Sequence, residues 1–312
     1  MRAKRYWTGT ASRLSVPAMI VITAPTGTIG GQVLERVIDS GEPIRVIVRD
    51  PSRLPTATRD RVEVVQGSHG DARVVDEAFA GADAVFWLAP PNPRAASLDA
   101  VYVDFTRPAC DAVRRHGVRR VVGVSALGCG VTGRAGLVTA TLAMDDLISA
   151  TGVSYRALTM PSFMDNVLRQ AEAIGERGVL FGPISPDRRA PTVATRDIAE
   201  VAARLLLDDT WTGQGSVPVL GPEDLSFSEM AEIMADVLGR PVRYEQVPLD
   251  AFRAGLIAAG WSDAMAEGMA DMMRAKDEGL DNAEPRTAES TTPTTFRWWC
   301  EEVLRPAVAV RV

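Results

Sequence analysis

Between Met19 and Met160 the chain alternates short β-branched runs with longer stretches of helical period, and few architectures accept that rhythm. Ile20-Val21-Ile22 leads into a stretch whose Val33, Leu34, Val37 and Ile38 repeat at i, i+3, i+4, one apolar face of a helix. Ile44 to Val48, Val62 to Val65 and Ala84 to Leu88 read as further strands, with a helix around Val74 to Phe79. A long helix near Leu98 to Arg115 precedes the apolar strand "VRRVVGVSA", and a helix near Leu137 to Ala150 precedes "VSYRALTM". Six or so strands separated by helices predict a parallel sheet covered on both faces. Right-handed crossovers make such a sheet doubly wound, an α/β Rossmann-like fold.

After Pro161 the rhythm changes. "VLFGPISPDRRAPTV" is rich in Pro and Gly and predicts a loop with short strands. Thr195 to Asp209 predicts a helix with Ile198, Val201 and Leu205 on one face, and "SFSEMAEIMADVLG" opens on a capping box, Ser226 with Glu229, and closes on Gly239. Helices over Ala251 to Ala259 and Ala264 to Lys276 follow, the second carrying Met265, Met269, Met272 and Met273. A last helix takes Thr292 as N-cap and Pro293 as its first residue. The expected organisation is a disordered tail or upstream start over residues 1–17, with Met19 an alternative initiator, a nucleotide-binding part over 18–160, and a smaller, mainly helical substrate part over 161–312 on the same body and above the sheet's carboxyl edge.

Composition narrows the function. A net charge of −6 argues against nucleic acid as partner, since such proteins show a basic face. Two histidines and the scattered Cys110, Cys129 and Cys300 supply no ordinary metal site and no disulfide framework, so no metal is expected. No apolar run reaches the roughly 18 residues of a membrane span, and the first residues lack a signal's apolar region. A reduced cytoplasm is the simplest compartment, with the chain a monomer or homodimer.

The first strand, turn and helix, "MIVITAPTGTIGGQVLERVI", can make an anion site, because unpaired N–H groups and the helix dipole face the same way. Gly27 lets the backbone approach a pyrophosphate, Thr28 and Ile29 offer N–H groups, and Gly30 lets the helix pack near the strand. Ala24 and Pro25 stand where such turns usually offer a glycine and a small residue. If that first position needs a positive φ, alanine there costs about 1 kcal/mol, which Pro25 partly offsets by restricting the unfolded chain. The phosphate donors lie later in the turn, so the change tunes affinity and leaves the site in place.

The turn "TAPTGTIGG" resembles the TGATGxxG turn of the NmrA-like branch of atypical short-chain dehydrogenases. "VIVRDPSRL", "AVFWLAPP", "HGVRRVVGVSALG", "TGVSYRALTMPSFMDNVL" and "TTPTTFRWW" extend the resemblance, in order, over about residues 19 to 299. It implies a dinucleotide held by Thr26, Gly27, Thr28, Ile29 and Gly30, and places an NADP-selecting arginine at Arg49, at the end of the second strand. NADPH is therefore expected over NADH, since an arginine there accommodates a 2′-phosphate; the alternative is that Arg49 is a solvated charge and Asp50 a cap for "DPSRL". The resemblance further puts Ser68 near the adenine, Ala89 and Pro90 beside the ribose, Ser125 at the fifth strand's end, and Pro161 to Phe163 beside the nicotinamide.

The Tyr-x-x-x-Lys pair common in short-chain dehydrogenases is absent. Four residues after Tyr6, Tyr102, Tyr155 and Tyr244 stand Thr10, Thr106, Thr159 and Pro248. Neither Lys4 nor Lys276 lies in the expected core region, and Thr141 stands where some relatives carry a catalytic lysine. Ser125 remains as a catalytic candidate for polarising a substrate oxygen, or is simply a hydroxyl bonded at a strand end. Tyr155 reads as core rather than acid, Asp145 and Asp146 as a solvated helix face or, alternatively, as shaping the pocket, and His69 and His116 as loop and surface residues.

Hydride transfer to an electron-poor acceptor needs proximity and orientation more than a resident acid. The expected function is an NADPH-dependent reductase of a planar, quinone-like or conjugated carbonyl substrate. Its substrate is a small aromatic molecule, walled by the Met-rich helix with Phe163, Phe181, Phe252 and Trp261. The alternative is a non-catalytic regulator sensing NADP(H), and a third reading is a scaffold whose turn has lost its ligand.

Overall fold

The computed structural model describes residues 18–309 apart from 129 and 132, so the tail over residues 1–17 and Cys129 lie outside the described residues. The chain begins with the expected alternation: β1 Ile20–Thr23, α1 Thr28–Val37, β2 Ile44–Val48, the short α2 Thr56–Arg59, β3 Glu63–Gln66, α3 Ala72–Phe79 and β4 Ala84–Trp87. It continues through α4 Leu98–His116, β5 Arg120–Val124, α5 Leu137–Ser149 and β6 Ser154–Thr159. These strands share one sheet with β10 Gln214–Pro218, in the order β10-β6-β5-β4-β1-β2-β3, and every pair is parallel. The switch point falls between β1 and β4, where successive connections leave in opposite directions along the sheet.

Burial on both faces explains why these strands read as unbroken apolar runs. Ile20, Ile22, Val46 and Phe86 pack with Val33, Leu34 and Val37 of α1 and with Ile198, Ala199 and Ala202 of α7 Thr195–Leu207. Val21, Ile47, Val85 and Trp87 face the other way, against α3, α4 and α5. Along α7 the buried stripe is Ile198, Ala199, Ala202, Ala203 and Leu206, with Val201 and Leu205 at its margin, because small residues let that helix lie close to the sheet. The seventh strand, β10, lacks an apolar signature. It sits at the edge and pairs with β6, where Gln214, Gly215 and Ser216 are exposed and Pro218 is tolerated.

Beyond β6 the chain builds β7 Ser162–Phe163, α6 Ala171–Arg177, β8 Val179–Gly182 and β9 Ala190–Val193, then, after α7 and β10, β11 Asp224–Leu225 and α8 Phe227–Leu238. The capping box at Ser226 and Glu229 forms, and Gly239 closes α8 in the left-handed conformation. β12 Arg243–Gln246, α9 Leu249–Ala258 and α10 Asp263–Asp277 follow. The helix expected from Pro293 starts later than predicted. α11 Phe296–Trp299 is capped by Thr295, whose side chain accepts from the Trp298 N–H. Thr292 instead bonds the Leu220 carbonyl, and Thr294 bonds the buried Asp197 of α7. Those partners draw the segment into extended backbone and delay the helix by three residues.

α10 reaches the sheet's carboxyl side by one very close approach. A Cβ on Gly136, just before α5, would lie 1.8 Å from the Gly268 carbonyl of α10, and one on Gly268 would lie 2.6 Å from Leu98 at the start of α4. Lys276, near the end of α10, corrects the sequence reading: it is buried, and its ammonium donates to both carboxylate oxygens of the buried Asp281 at 2.7 and 2.5 Å. A desolvated charge persists only with such a partner, and a lysine count cannot reveal the partner.

Candidate functional site

The turn after β1 has the geometry of an anion cradle. Ala24 is the one non-glycine residue with positive φ among the described residues, at φ 50°. The Gly27 N–H donates to the Ala24 carbonyl at 3.0 Å, closing a turn that contains Pro25 and Thr26. Gly27 then serves as N-cap of α1 with no side chain bonding the first amides, and no acidic residue lies in the first turn. The N–H groups of Thr28, Ile29 and Gly30 therefore have no intrahelical acceptor and face the end of the helix dipole. Thr28 and Gly27 are exposed, while the Ile29 side chain anchors the helix in the core. A Cβ on Gly30 would lie 2.2 Å from the Ala24 carbonyl oxygen, so glycine is required there for the helix to approach the strand. A dinucleotide's pyrophosphate fits this cradle by charge and by the uncapped amides.

Arg49 and Asp50 sit at the end of β2, both exposed. Asp50 Oδ1 accepts from the Ser52 N–H at 3.0 Å and from its hydroxyl at 2.7 Å, which holds the carboxyl below its usual range. The acid thus caps the turn that follows, and Arg49 enters no ion pair among the described residues. Thr23 stitches β1 to β4, donating to the Phe86 carbonyl and accepting from the Leu88 N–H, and so sets the half-buried Ala89 and Pro90 beside the turn. Ser68 Oγ accepts from the Gly70 N–H at 3.3 Å within its own loop.

His69, expected as a loop or surface residue, lies in the loop after β3 but is buried. Its Nε2 donates to the Leu88 carbonyl at 2.9 Å, and its ring meets Trp87 and Phe105 edge-on. Burial lowers its pKa to about 4, so the ring is neutral near pH 7. His116 sits half-buried at the end of α4, 2.8 Å from Asp76. Pro161 is buried after β6, and Phe163 packs on the core from β7, which pairs with β9. Asp165 accepts from the Thr195 N–H and hydroxyl, and Gln32 of α1 reaches the same hydroxyl, tying this loop to both helices.

Ser125 lies directly after β5, with 6% of its surface exposed, and its hydroxyl donates to Asp145 of α5. The other oxygen of Asp145 accepts from the Tyr155 hydroxyl of β6 at 2.6 Å. Asp145 is thus no solvated helix face, and Tyr155 is core with a polar task. Burial raises Asp145 to about 6 against the pull of its two donors, and it holds Tyr155 well above the usual phenol range. The signal in sequence was Gly123: a Cβ there would lie 2.3 Å from the Tyr155 hydroxyl, so glycine in this apolar strand leaves room for the ring. Thr141 donates to the Leu137 carbonyl and also meets the hydroxyl of Tyr102, so neighbouring hydroxyls occupy the expected lysine position.

The expected aromatic wall does not assemble as one. Met265, Met269 and Met272 pack with Trp261, Leu98, Tyr102 and Leu137. Met273 faces a separate cavity of about 370 Å³ lined also by Pro183, Val247, Leu249 and Asp277, none of them from the turn after β1 or the seven-stranded sheet. Phe181 lies under the Arg177 guanidinium, and Phe163 joins the sheet core. Helical spacing placed the methionines on one helix; the neighbours of that helix divided them. Among the described residues no cluster of His, Cys, Asp or Glu could hold a metal ion, and no helix is long and apolar enough to cross a membrane.

The chain is similar to known proteins in sequence and fold. A (4-alkanoyl-5-oxo-2,5-dihydrofuran-3-yl)methyl phosphate reductase of Streptomyces griseus is 31% identical, covering 91% of this chain and 97% of its own. An NAD(P)H azoreductase of Xenophilus azovorans is 26% identical over 81% of this chain and 86% of its own. The crystal structure of an NADPH-dependent quinone oxidoreductase of Escherichia coli superposes with a TM-score of 0.74 at 23% identity, covering 91% of this chain and 99% of the other. A family model described as NAD(P)H-binding matches residues 25–209, and one described as NmrA-like matches residues 144–298. With the fold, the cradle and these relatives in agreement, the chain belongs to the NmrA-like family of NAD(P)H-binding proteins.

Proposed function

We propose that the protein is an NADPH-dependent reductase that transfers hydride to a small, planar acceptor of the quinone or conjugated carbonyl class, without a Tyr/Lys pair. The observation that carries this reading is the uncapped N-terminus of α1 behind the Ala24 turn, set in the same carboxyl edge as the Ser125 hydroxyl. A bound reduced nicotinamide supplies the hydride. The chain's own residues bind and orient: amides of Thr28, Ile29 and Gly30 at the pyrophosphate, with Thr26 and Gly27 shaping the approach. Ala89 and Pro90 flank the ribose, Ser68 the adenine, and Pro161 and Phe163 the nicotinamide.

Preference for NADPH rests on Arg49. Asp50 is engaged by Ser52 through one of its oxygens, whereas the Arg49 guanidinium is available for a 2′-phosphate. The relatives named above reduce a furanone phosphate, azo compounds and quinones, which supports an electron-poor, conjugated acceptor.

Calorimetric titration with NADPH and NADH, followed by cofactor oxidation with a quinone, tests the reading. NADPH is expected to bind at least tenfold more tightly than NADH in the wild type, and Arg49→Ala to abolish most of that difference. Equal losses for both cofactors would remove the phosphate contact from Arg49, and absence of binding to either would remove the enzyme reading.

A further inference from the structure

Ser125, Asp145 and Tyr155 come from β5, α5 and β6 and meet at the carboxyl edge, and their geometry dictates where the hydrogens sit. A serine hydroxyl has one proton to give. Here it goes to Asp145, away from any acceptor molecule in the crevice, while the wholly buried Tyr155 gives its own proton to the other oxygen of Asp145. That is the pattern of an ionised carboxylate accepting twice. A proton added to Asp145 has a single place to go. Oδ1 is the acceptor Tyr155 uses, so the proton sits on Oδ2, the Asp145–Ser125 bond reverses, and the serine proton is free to turn outward.

We propose that Asp145 is the proton source behind Ser125, which gives its hydroxyl proton to the oxygen of the reduced acceptor and takes the Asp145 proton in the same step. The inference deepens the reductase reading and rests on it. The balance closes: the acceptor carbon gains hydride from NADPH with its electron pair, the acceptor oxygen gains one proton, NADP+ leaves, and Asp145 is left ionised. Tyr155 holds the carboxylate so formed, and water returns its proton, since Asp145 is half-buried and its neighbour Asp146 is exposed.

The surroundings suit the task. Burial first, then the Asp146 carboxylate, pushes Asp145 up to about 6, against the Ser125 and Tyr155 hydrogen bonds that pull it down. From α4 the Cys110 thiol, raised to about 11 by burial and therefore neutral, acts on Tyr155, and the Tyr102 phenol, also raised by burial, meets Thr141 of α5. α10, also packed on α5, directs its Asp271 to Arg134 and Arg274. No cation is among the groups that act on Asp145, so both of its protonation states are populated around pH 6. Asp145 acts through Ser125 and is a positioning residue in that sense; Ser125 is the group that meets the acceptor.

Two acceptors separate the proton step from the hydride step. 1,4-Naphthoquinone needs hydride and a proton, whereas the malachite green cation needs hydride alone. Ser125→Ala and Asp145→Asn should each lower the ratio of naphthoquinone to malachite green turnover about a hundredfold, within the usual range for loss of a general acid. The wild-type kcat on naphthoquinone should fall as pH rises through about 6. That limb should vanish in Asp145→Asn. A carboxyl resonance absent from Asp145→Asn should titrate near the same pH in labelled wild-type protein without any cofactor. Equal losses on both acceptors, or a pH limb retained in Asp145→Asn, would overturn the relay while leaving the reductase. Should Asp145→Asn not fold, Ser125→Ala and the wild-type pH profile still decide. A wild type that binds NADPH but reduces neither acceptor would bring down the reductase reading, and the relay with it.

Discussion

At the scale of single residues, backbone strain is concentrated in the turn after β1. Ala24 holds φ 50°, a conformation in which a Cβ crowds the following carbonyl and costs about 1–2 kcal/mol. Its carbonyl receives the Gly27 N–H and lies where any side chain on Gly30 would strike it. Ala24→Gly should relieve the strain, less the extra entropy of a glycine in the unfolded chain, and raise stability by roughly 0.5–1 kcal/mol. Urea unfolding measures it, and an unchanged or lower midpoint would mean that the alanine methyl has packing worth as much as the strain. The sequence showed that Ala24 departs from a glycine pattern. It could not show whether the position takes positive φ, since that depends on where the chain goes next.

At the scale of elements, close helix contacts place the C-terminal part over the sheet edge. Gly136 has φ +52° and nearly touches the Gly268 carbonyl, so Gly136→Ala meets both strain and collision. We expect a loss of at least about 2 kcal/mol in stability, since a backbone carbonyl cannot yield as a side chain does. Hydrogen exchange gives the second readout: faster exchange in α10 with the sheet unchanged is the expected pattern, and a wild-type rate in α10 would show that the contact is dispensable. α9 differs from its neighbours in having no buried residue and leaning on α10, although its residues are mostly apolar. Amphipathic periodicity located both helices. Their packing was not legible, because glycine advertises neither what it touches nor how closely.

For the whole molecule, the buried His69 and the half-buried Asp145 shape stability against pH, with opposite signs. His69 has its pKa lowered to about 4, so between 4 and its ordinary 6.5 the unfolded chain binds more protons, and stability falls as pH drops through that window. Carried to completion, the loss is roughly 3 kcal/mol, and none of it is felt at pH 7.5. Asp145 is raised to about 6, so over a similar window the folded state binds more protons, and its contribution falls as pH rises. His69→Gln retains a donor for the Leu88 carbonyl and does not titrate. The stability advantage of the wild type over this variant should shrink on moving from pH 7.5 to 5.0, as urea midpoints would show. Parallel curves would mean that His69 titrates alike in the native and unfolded chain, and a growing advantage that it is protonated in the native state.

The alternation of strands and helices, the cradle after β1, the capping box at Ser226 and the absence of a Tyr/Lys pair were all determined by the sequence itself. Each depends on residues within a few positions of one another, and periodicity and turn chemistry act at that range. Tertiary structure decided the rest. The strand β10 has no apolar signature because it lies at the sheet's edge with Gln214, Gly215 and Ser216 exposed. The buried Lys276–Asp281 pair, the interior placement of His69 and the meeting of Ser125 with Asp145 and Tyr155 depend on desolvation by groups distant in sequence. A carboxylate on a helix reads as solvated until the fold lays a strand end against it. Its chemistry is then set by the dielectric and the donors around it, which no spacing along the chain encodes.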